Sequence, residues 1–283
     1  MINREYKDRL FKFIFQDKEK LLSLYNALNG TEYTNAEELE VTTLEDVIYM
    51  KMKNDISFIV DYRLSLYEHQ STLNPNMPLR GFLYFGQHFQ KYIEENEYNI
   101  YGSTLIKLPT PGFVVFYNGD DMEEDRRILR LSDSFMVEKE SGCMELGAMM
   151  ININYGKNKE LMNKCRILLE YSIFVDKVKK YSKNLILESA IDKAVEECIK
   201  ENILRDTLTK HRAEVKDMLL TEYDEEKTIR LFQNEVEKEK ARAEKEKARA
   251  EEEKARAEKE KARADAAERE LKHLKEYMEK HNI

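Results

Sequence analysis

Apolar residues in this chain recur with two different periods, and the change between them divides the sequence into segments. A period near 3.6 residues predicts amphipathic helices, whereas alternation or a short β-branched run predicts strands. The first 155 residues contain, in order, a helix over 4–28, strands over 46–52, 56–60 and 64–70, a helix over 78–95, and strands over 112–117 and 148–155. Up to residue 117 this order is α-β-β-β-α-β, which is typical of a layered mixed α/β domain.

Turn residues separate these segments. Asn29-Gly30 closes the first helix, and Asn74-Pro75 interrupts the chain before the second. Only Asp61-Tyr62-Arg63 separates the second strand from the third, so we expect a tight hairpin in which the two strands pair antiparallel. In such a hairpin the start of one strand lies beside the end of the next.

Beyond residue 155 the pattern becomes helical. Residues 187–198 carry apolar side chains on one helical face, and residues 211–232 continue in a similar style. This region is expected either to pack on the mixed α/β layer or to form a small second domain. The sequence therefore divides into a mixed α/β domain at 1–155, a helical region at 156–235 and a tail at 236–283.

The tail repeats a seven-residue unit, EKEKARA, with one EEEKARA variant. Its apolar positions do not form the a/d seam of a coiled coil, because the two alanines of each unit lie about 200° apart around a helix. Acid-to-base pairs three residues apart, such as Glu239 with Arg242, support an exposed helix instead. We expect a long, charged, solvated single helix rather than a coiled coil.

Composition narrows the class of protein. Hydrophobic residues make up 42% of the chain, enough to bury a core, and no apolar run is long enough to span a bilayer. The first ten residues are too charged for a signal peptide, so we expect a cytoplasmic protein with no membrane partner. The three cysteines form no C-x-x-C pair and the five histidines show no zinc spacing, which argues against a structural zinc site.

The negative charge of the chain, −8 in total, comes from residues 1–235, the body of the chain. The tail from Val236 onward carries 15 Lys/Arg and 14 Asp/Glu, so the body has a net charge of −9. Phosphate contacts come mainly from Lys and Arg, and this acidity is the strongest bulk argument against nucleic-acid binding. Binding would need locally clustered basic residues, for which Lys12, Lys51, Lys53 and Arg63 are candidates.

Two carboxylates and one amide are expected to meet at the end of the predicted hairpin. Alternation places Glu68 and Gln70 on one face of their strand, and Asp55 stands at the start of the strand before it. Adjacent carboxylates repel unless a cation lies between them, and Mg²⁺ prefers such oxygen ligands. From the spacing alone, two solvated carboxylates on an exposed hairpin are the favoured interpretation.

A wider resemblance changes that weighing. The order of elements, with Asp and Glu-x-Gln on successive strands, resembles the PD-(D/E)XK nuclease core. About four-fifths of the chain, all but the repetitive tail, resembles the Rpn family of recombination-promoting nucleases. The matching stretches are KDRLFKFIF (7–15), LEDVIYMKMKNDISFIV (44–60), LYEHQSTLNPNMPLRGFLYF (66–85), LPTPGFVVFYNG (108–119), LRLSDSF (129–135), NINYGKNKELMNKCRILLEYS (152–172) and HRAEVKDMLLTEYDEE (211–226).

The resemblance implies an α/β fold with a PD-(D/E)XK nuclease-like αβββαβ core, followed by the helical region and the charged C-terminal helix. It implies a Mg²⁺-dependent DNA endonuclease, with Mn²⁺ as a substitute, in which Asp55 and Glu68 are catalytic metal ligands. Gln70 occupies the position that is Lys in the superfamily's name. Asp8, in a D-x-x-F-K context, is a third candidate metal ligand or a helix-surface acid, and Arg80 is a candidate DNA contact or a surface salt bridge.

Gln70 bears on the choice between functions. Lys stabilises developing negative charge, whereas Gln only orients water or phosphate by hydrogen bonds. The first function is an active nuclease linked to recombination or to mobile or foreign DNA. The second is a catalytically weak nuclease-fold binding module with a helical partner arm, and a transposase is the least favoured. Nucleases of this kind that cut both strands often act in pairs, so a homodimer is expected by analogy only.

Overall fold

The computed structural model describes residues 9–42, 55–137 and 144–220, together with five helical tail positions at 236, 238, 240, 244 and 245. The chain forms two compact units, Met1–Glu226 and Lys227–Ile283. The strand expected at 46–52, the candidate ligand Asp8 and most of the tail lie outside the described residues.

A six-stranded mixed sheet lies at the centre of the first unit. Its strands are β1 (Glu40–Val41), β2 (Ile56–Val60), β3 (Arg63–Gln70), β4 (Thr110–Tyr117), β5 (Arg126–Arg130) and β6 (Gly147–Asn152). They lie in the order β1-β2-β3-β4-β6-β5. Strands β3, β4 and β6 are parallel, whereas β2 is antiparallel to β1 and β3, and β5 is antiparallel to β6. The expected mixed α/β class is confirmed.

Helices cover both faces of this sheet. They are α1 (Arg9–Phe15), α2 (Lys18–Asn29), α3 (Met77–Glu95), α4 (Lys159–Lys164), α5 (Arg166–Ser182), α6 (Leu187–Lys200) and α7 (Arg205–Lys210), and residues 212–220 are also helical. Helix α3 forms one hydrophobic core with one sheet face, and the other helices form a second core with the opposite face. The helical region beyond residue 155 therefore packs on the sheet.

The β2–β3 hairpin has the antiparallel pairing expected from the sequence. Asp61 and Tyr62 form its turn, with φ of 47° and 59°, the left-handed values that a tight type I′ turn requires. Ile56 lies opposite Tyr67 in the ladder. Leu66 faces the α3 core while Tyr67 faces the opposite core, so the predicted alternation of β3 is confirmed.

The prediction of a single helix over 4–28 is wrong. The described part of this range contains two helices, α1 and α2. The side chain of Asp17 accepts a hydrogen bond from the backbone N–H of Lys20 at 3.0 Å, and this N-cap starts α2 as a new helix. The apolar pattern continues through the break because both helices bury apolar side chains in the same core. The predicted end is confirmed: Gly30, with φ of 65°, caps α2.

The sequence pattern did not predict strands β1 and β5, and β6 ends earlier than expected. Strand β1 has only two residues, and β5 carries arginine at three of its five positions, so neither shows an apolar period. Strand β6 ends at Asn152 rather than at 155, because the side chain of Asn152 accepts a hydrogen bond from Asn154 N at 3.1 Å and turns the chain. Among the described residues, no helix is both long and apolar enough to cross a bilayer.

Two glycines of α3 give a matched test of its packing. A Cβ on Gly81 would lie 2.4 Å from the ring of Phe113, whereas one on Gly86 would meet nothing within 4 Å. We expect Gly81→Ala to destabilise the protein by about 2 kcal/mol through overpacking. Gly86→Ala should stabilise it by about 0.5–1 kcal/mol, as is usual in an exposed helix. Urea denaturation of both variants measures these changes, and equal effects would contradict the packing of α3 on β4.

His88 makes stability depend on pH. It is 5% exposed, and its Nε2 has no hydrogen-bond partner among the described residues. Burial lowers the pKa of His88 to about 4 from its ordinary 6.5. The folded protein then binds fewer protons than the unfolded chain between these values, so this stability is present above pH 6.5 and lost as the pH falls toward 4.

We expect the parent to lose about 2–3 kcal/mol of stability through this group between pH 7 and pH 4. His88→Leu removes the titrating ring and should lose correspondingly less over the same interval. Urea denaturation curves at several pH values compare the two proteins. Parallel pH profiles for parent and variant would show that His88 does not carry the effect.

Candidate active site

The hairpin brings Asp55 and Glu68 together as expected. Asp55 immediately precedes β2, and Glu68 lies two residues before the end of β3, opposite Asp55 in the antiparallel register. The backbone N–H of Asp55 donates to Glu68 Oε1 at 3.3 Å. Glu68 is only 1% exposed, so it is a buried carboxylate and not the solvated one that the spacing alone favoured.

The carboxylate of Asp55 is held from the neighbouring strand. Its Oδ2 accepts a hydrogen bond from the backbone N–H of His69 at 2.9 Å. The His69 ring points to the opposite core, where it stacks on Phe11 at 5.1 Å between centroids. The hydroxyl of Tyr171 lies 3.0 Å from His69 Nε2. Contacts on the far face of the sheet therefore fix the strand position to which Asp55 is bound.

Arg80 of α3 makes an ion pair with Glu68. Its Nη2 donates to Glu68 Oε2 at 2.9 Å and to the Tyr84 hydroxyl at 3.0 Å. Its Nη1 donates to Met77 Sδ at 3.4 Å, and its guanidinium lies 5.7 Å from the Tyr84 ring centroid. The side chain of Arg80 is 30% exposed. The structure thus assigns Arg80 a protein partner, while its contact with DNA stays a prediction.

Burial dominates the electrostatics of this cluster. It raises the pKa of Glu68 above its ordinary range, and the neighbouring Asp55 carboxylate raises it further. The Arg80 guanidinium opposes both effects, with a smaller contribution from Lys12 on α1. Burial also raises the pKa of Tyr84 to about 12, so its hydroxyl stays protonated at neutral pH. Burial and Asp55 outweigh Arg80, so the pKa of Glu68 stays raised with Arg80 in place, and a further cation at this position would favour the ionised carboxylate.

Gln70 lies at the end of β3, two residues beyond Glu68 and on the same face. It is 5% exposed, and its backbone carbonyl accepts from Asn118 N at 3.1 Å, just after β4. The Asn118 side chain donates to the Tyr171 hydroxyl at 3.4 Å. Strands β3 and β4, which are parallel, thus end together, and Gln70 is held at that edge by the neighbouring strand.

The donor atoms suit a hard divalent ion. Asp55, Glu68 and Gln70 offer oxygens, and Mg²⁺ commonly takes one or two protein carboxylates while keeping several waters. Mn²⁺ accepts the same ligands, whereas zinc prefers nitrogen and sulfur. Within 9–42, 55–137 and 144–220 no three His, Cys, Asp or Glu side chains cluster as a metal site. The donor set therefore fits one Mg²⁺ or Mn²⁺ that keeps most of its water.

Sequence reasoning missed two residues that hold the cluster, Tyr84 and Tyr171. Tyr84 carried a signal: it lies four positions after Arg80, so the two share one face of the predicted helix. Tyr171 carried none, because it is 102 residues from His69 and its contact arises only when α5 packs on the sheet.

Two substitutions at Asp55 separate its charge from its hydrogen bond. Asp55→Asn keeps an oxygen that can accept from His69 N and removes repulsion with Glu68, so we expect stability within about 1 kcal/mol of the parent, or above it. Asp55→Ala leaves the His69 N–H without its acceptor and should cost about 1–3 kcal/mol. Urea denaturation in the presence of a chelator measures both, and equal losses would contradict this role of the side-chain oxygen.

The chain was compared with protein-family models, curated proteins and solved structures, and none of the three comparisons gives a match. The interpretation of the site therefore rests on the geometry around Asp55 and Glu68. It also rests on the sequence pattern that predicted their meeting.

Proposed function

We propose that this protein is a Mg²⁺-dependent DNA endonuclease that hydrolyses phosphodiester bonds, with a PD-(D/E)XK-like core. One observation carries the proposal. Asp55 and Glu68 lie side by side at the end of paired strands, with Gln70 on the same face. Oxygen ligands grouped next to one amide are suited to a metal-assisted attack on a phosphodiester.

Each residue has a distinct role in this proposal. Asp55 and Glu68 would hold the metal ion through carboxylate oxygens, and Asp8, outside the described residues, is the third proposed ligand. When bound there, the ion would supply Lewis-acid chemistry, through which a phosphoryl oxygen is polarised and a water is activated. The backbone N–H of His69 fixes the rotamer of Asp55, and Arg80 fixes that of Glu68. These contacts hold both carboxylates in a defined geometry before substrate binds.

Gln70 orients the reactants without contributing charge. Its amide donates to a phosphate oxygen or accepts from the attacking water, which are the two bonds that a neutral carboxamide offers. The positive charge that a lysine would bring comes instead from neighbouring residues. Arg80 lies beside Glu68, and Lys12 is close enough to lower the pKa of Glu68. Arg80 keeps part of its side chain exposed, which leaves it able to contact a phosphate.

A second function has support from the same contacts. Arg80 already neutralises Glu68, and the body of the chain carries a net charge of −9. Both features weaken metal and DNA binding relative to a site with unpaired carboxylates and a basic surface. They favour a catalytically weak nuclease-fold binding module with the tail helix as its partner arm. DNA as substrate, a link to recombination or to mobile or foreign DNA, a homodimer and a cytoplasmic location all belong to the proposal.

Nicking of supercoiled plasmid by the purified protein tests the endonuclease. We expect cleavage with Mg²⁺ or Mn²⁺, and a loss on the order of 100-fold or more in Asp55→Asn, because the metal loses an anionic ligand. Asp61→Asn is the matched control. Asp61 lies at the opposite end of the same hairpin, where it accepts from the Tyr33 hydroxyl at 2.7 Å, and asparagine tolerates its left-handed conformation.

The outcomes distinguish the two functions. Cleavage by the parent and by Asp61→Asn, but not by Asp55→Asn, supports the endonuclease. No plasmid cleavage by any of the three proteins, each with a folded circular dichroism spectrum, supports the binding module. Cleavage that survives exhaustive chelation, or that is equal in Asp55→Asn and the parent, would exclude a metal site at Asp55.

A further inference from the structure

The candidate site carries its own positive charge. Among the described residues, Asp55 and Glu68 place two carboxyl groups side by side, Arg80 makes an ion pair with Glu68, and Lys12 lies close enough to lower the pKa of Glu68. A divalent ion that binds these carboxylates therefore binds beside a positively charged side chain of the protein itself. Within the part of the chain that the structure describes, Arg80 contacts one of these carboxylates directly, through Glu68 Oε2.

Arg80 is fixed in that position. Tyr84 and Met77 hold its two terminal nitrogens from the same helix. Both of these residues are buried in the core between α3 and the sheet, at 1% and 0% exposure. An exposed arginine would swing into solvent when a metal ion approached, at little cost. Arg80 is restrained, so its charge stays near the metal position.

We propose that Arg80 is a built-in counter-cation that competes with a divalent metal ion for Glu68 and thereby sets the metal affinity of the site. This proposal rests on the proposed function, because it takes Asp55 and Glu68 as the metal ligands. It makes Arg80 a positioning residue: it holds the carboxylate in place when no metal is bound, and weakens metal binding. A phosphate that binds the exposed part of Arg80 would offset its positive charge and so strengthen metal binding, which couples the metal to its substrate.

Removing the charge of Arg80 should therefore tighten metal binding. The repulsion between Arg80 and a divalent ion is about twice that between Arg80 and a proton, because it scales with the ion's charge. Loss of the arginine thus helps the metal more than it helps a competing proton at Glu68. The direction of the effect is the same whether the variant's Glu68 is ionised or protonated before the metal arrives.

Isothermal titration of the full-length protein with Mn²⁺ alone, without nucleic acid, tests this proposal. We expect Arg80→Gln, which keeps a hydrogen-bond donor and removes the charge, to bind Mn²⁺ about tenfold or more tightly than the parent. Arg127→Gln is the matched control. Arg127 forms an exposed ion pair with Glu124 on the far edge strand β5, so its loss should leave Mn²⁺ affinity within about twofold of the parent.

A second variant serves if Arg80→Gln does not fold. Tyr84→Phe keeps the charge of Arg80 but removes one of its anchors, so Arg80 moves away from Glu68 more readily. Its Mn²⁺ affinity should exceed that of the parent by about two- to fivefold. Unchanged or weaker binding in this variant would overturn the proposal even without Arg80→Gln.

The possible results separate this proposal from the function on which it rests. Parent and Arg80→Gln binding Mn²⁺ with equal affinity would leave the metal site intact and overturn only the competition by Arg80. Weaker binding in Arg80→Gln would overturn it as well, since Arg80 would then assist the metal. No Mn²⁺ binding by the parent, by Arg80→Gln or by Tyr84→Phe would overturn the metal-dependent function and this inference with it.

Discussion

The register between β2 and β3 determines where each polar group of the candidate site lies. Side chains alternate across a sheet, so a shift of one residue would turn Glu68 toward the opposite core and His69 toward α3. The two-residue turn at Asp61 and Tyr62 sets that register, and the buried side chains on both faces maintain it. Asp55 meets Glu68 only in this pairing, and Arg80 reaches Glu68 only when the carboxylate faces α3.

This arrangement buries a carboxylate, and the cost of burial explains much of what surrounds it. An isolated ionised group in an apolar interior is strongly disfavoured unless it is paired and hydrogen-bonded. Glu68 has both kinds of compensation, from the guanidinium of Arg80 and from the backbone N–H of Asp55. Because Tyr84 in turn holds Arg80, the first turns of α3 act as part of the site. Removal of any of these partners leaves the carboxylate with less compensation, so the group behaves as a unit.

Local patterns made the hairpin predictable, whereas the contacts that the hairpin makes with distant helices could not be predicted from the sequence. The turn, the alternation of β3 and the meeting of Asp55 with Glu68 all follow from about 16 consecutive residues. The partners of Glu68 and His69 come from α3 and α5, whose packing no single-sequence period reveals. The sequence did not predict the break before α2, because one capping hydrogen bond at Asp17 outweighs an uninterrupted apolar pattern.

The arginines of β5 have a consequence for self-association. Strand β5 lies at one edge of the sheet, and Arg126, Arg127 and Arg130 occupy three of its five positions. Edge strands expose unpaired backbone groups that invite a strand from another molecule, and charged side chains on an edge strand discourage such pairing. At the other edge of the described sheet, β1 offers only two residues. Through the described strands, two copies of this protein are therefore poorly suited to join by continuing one sheet into the next, because one edge is charged and the other is short.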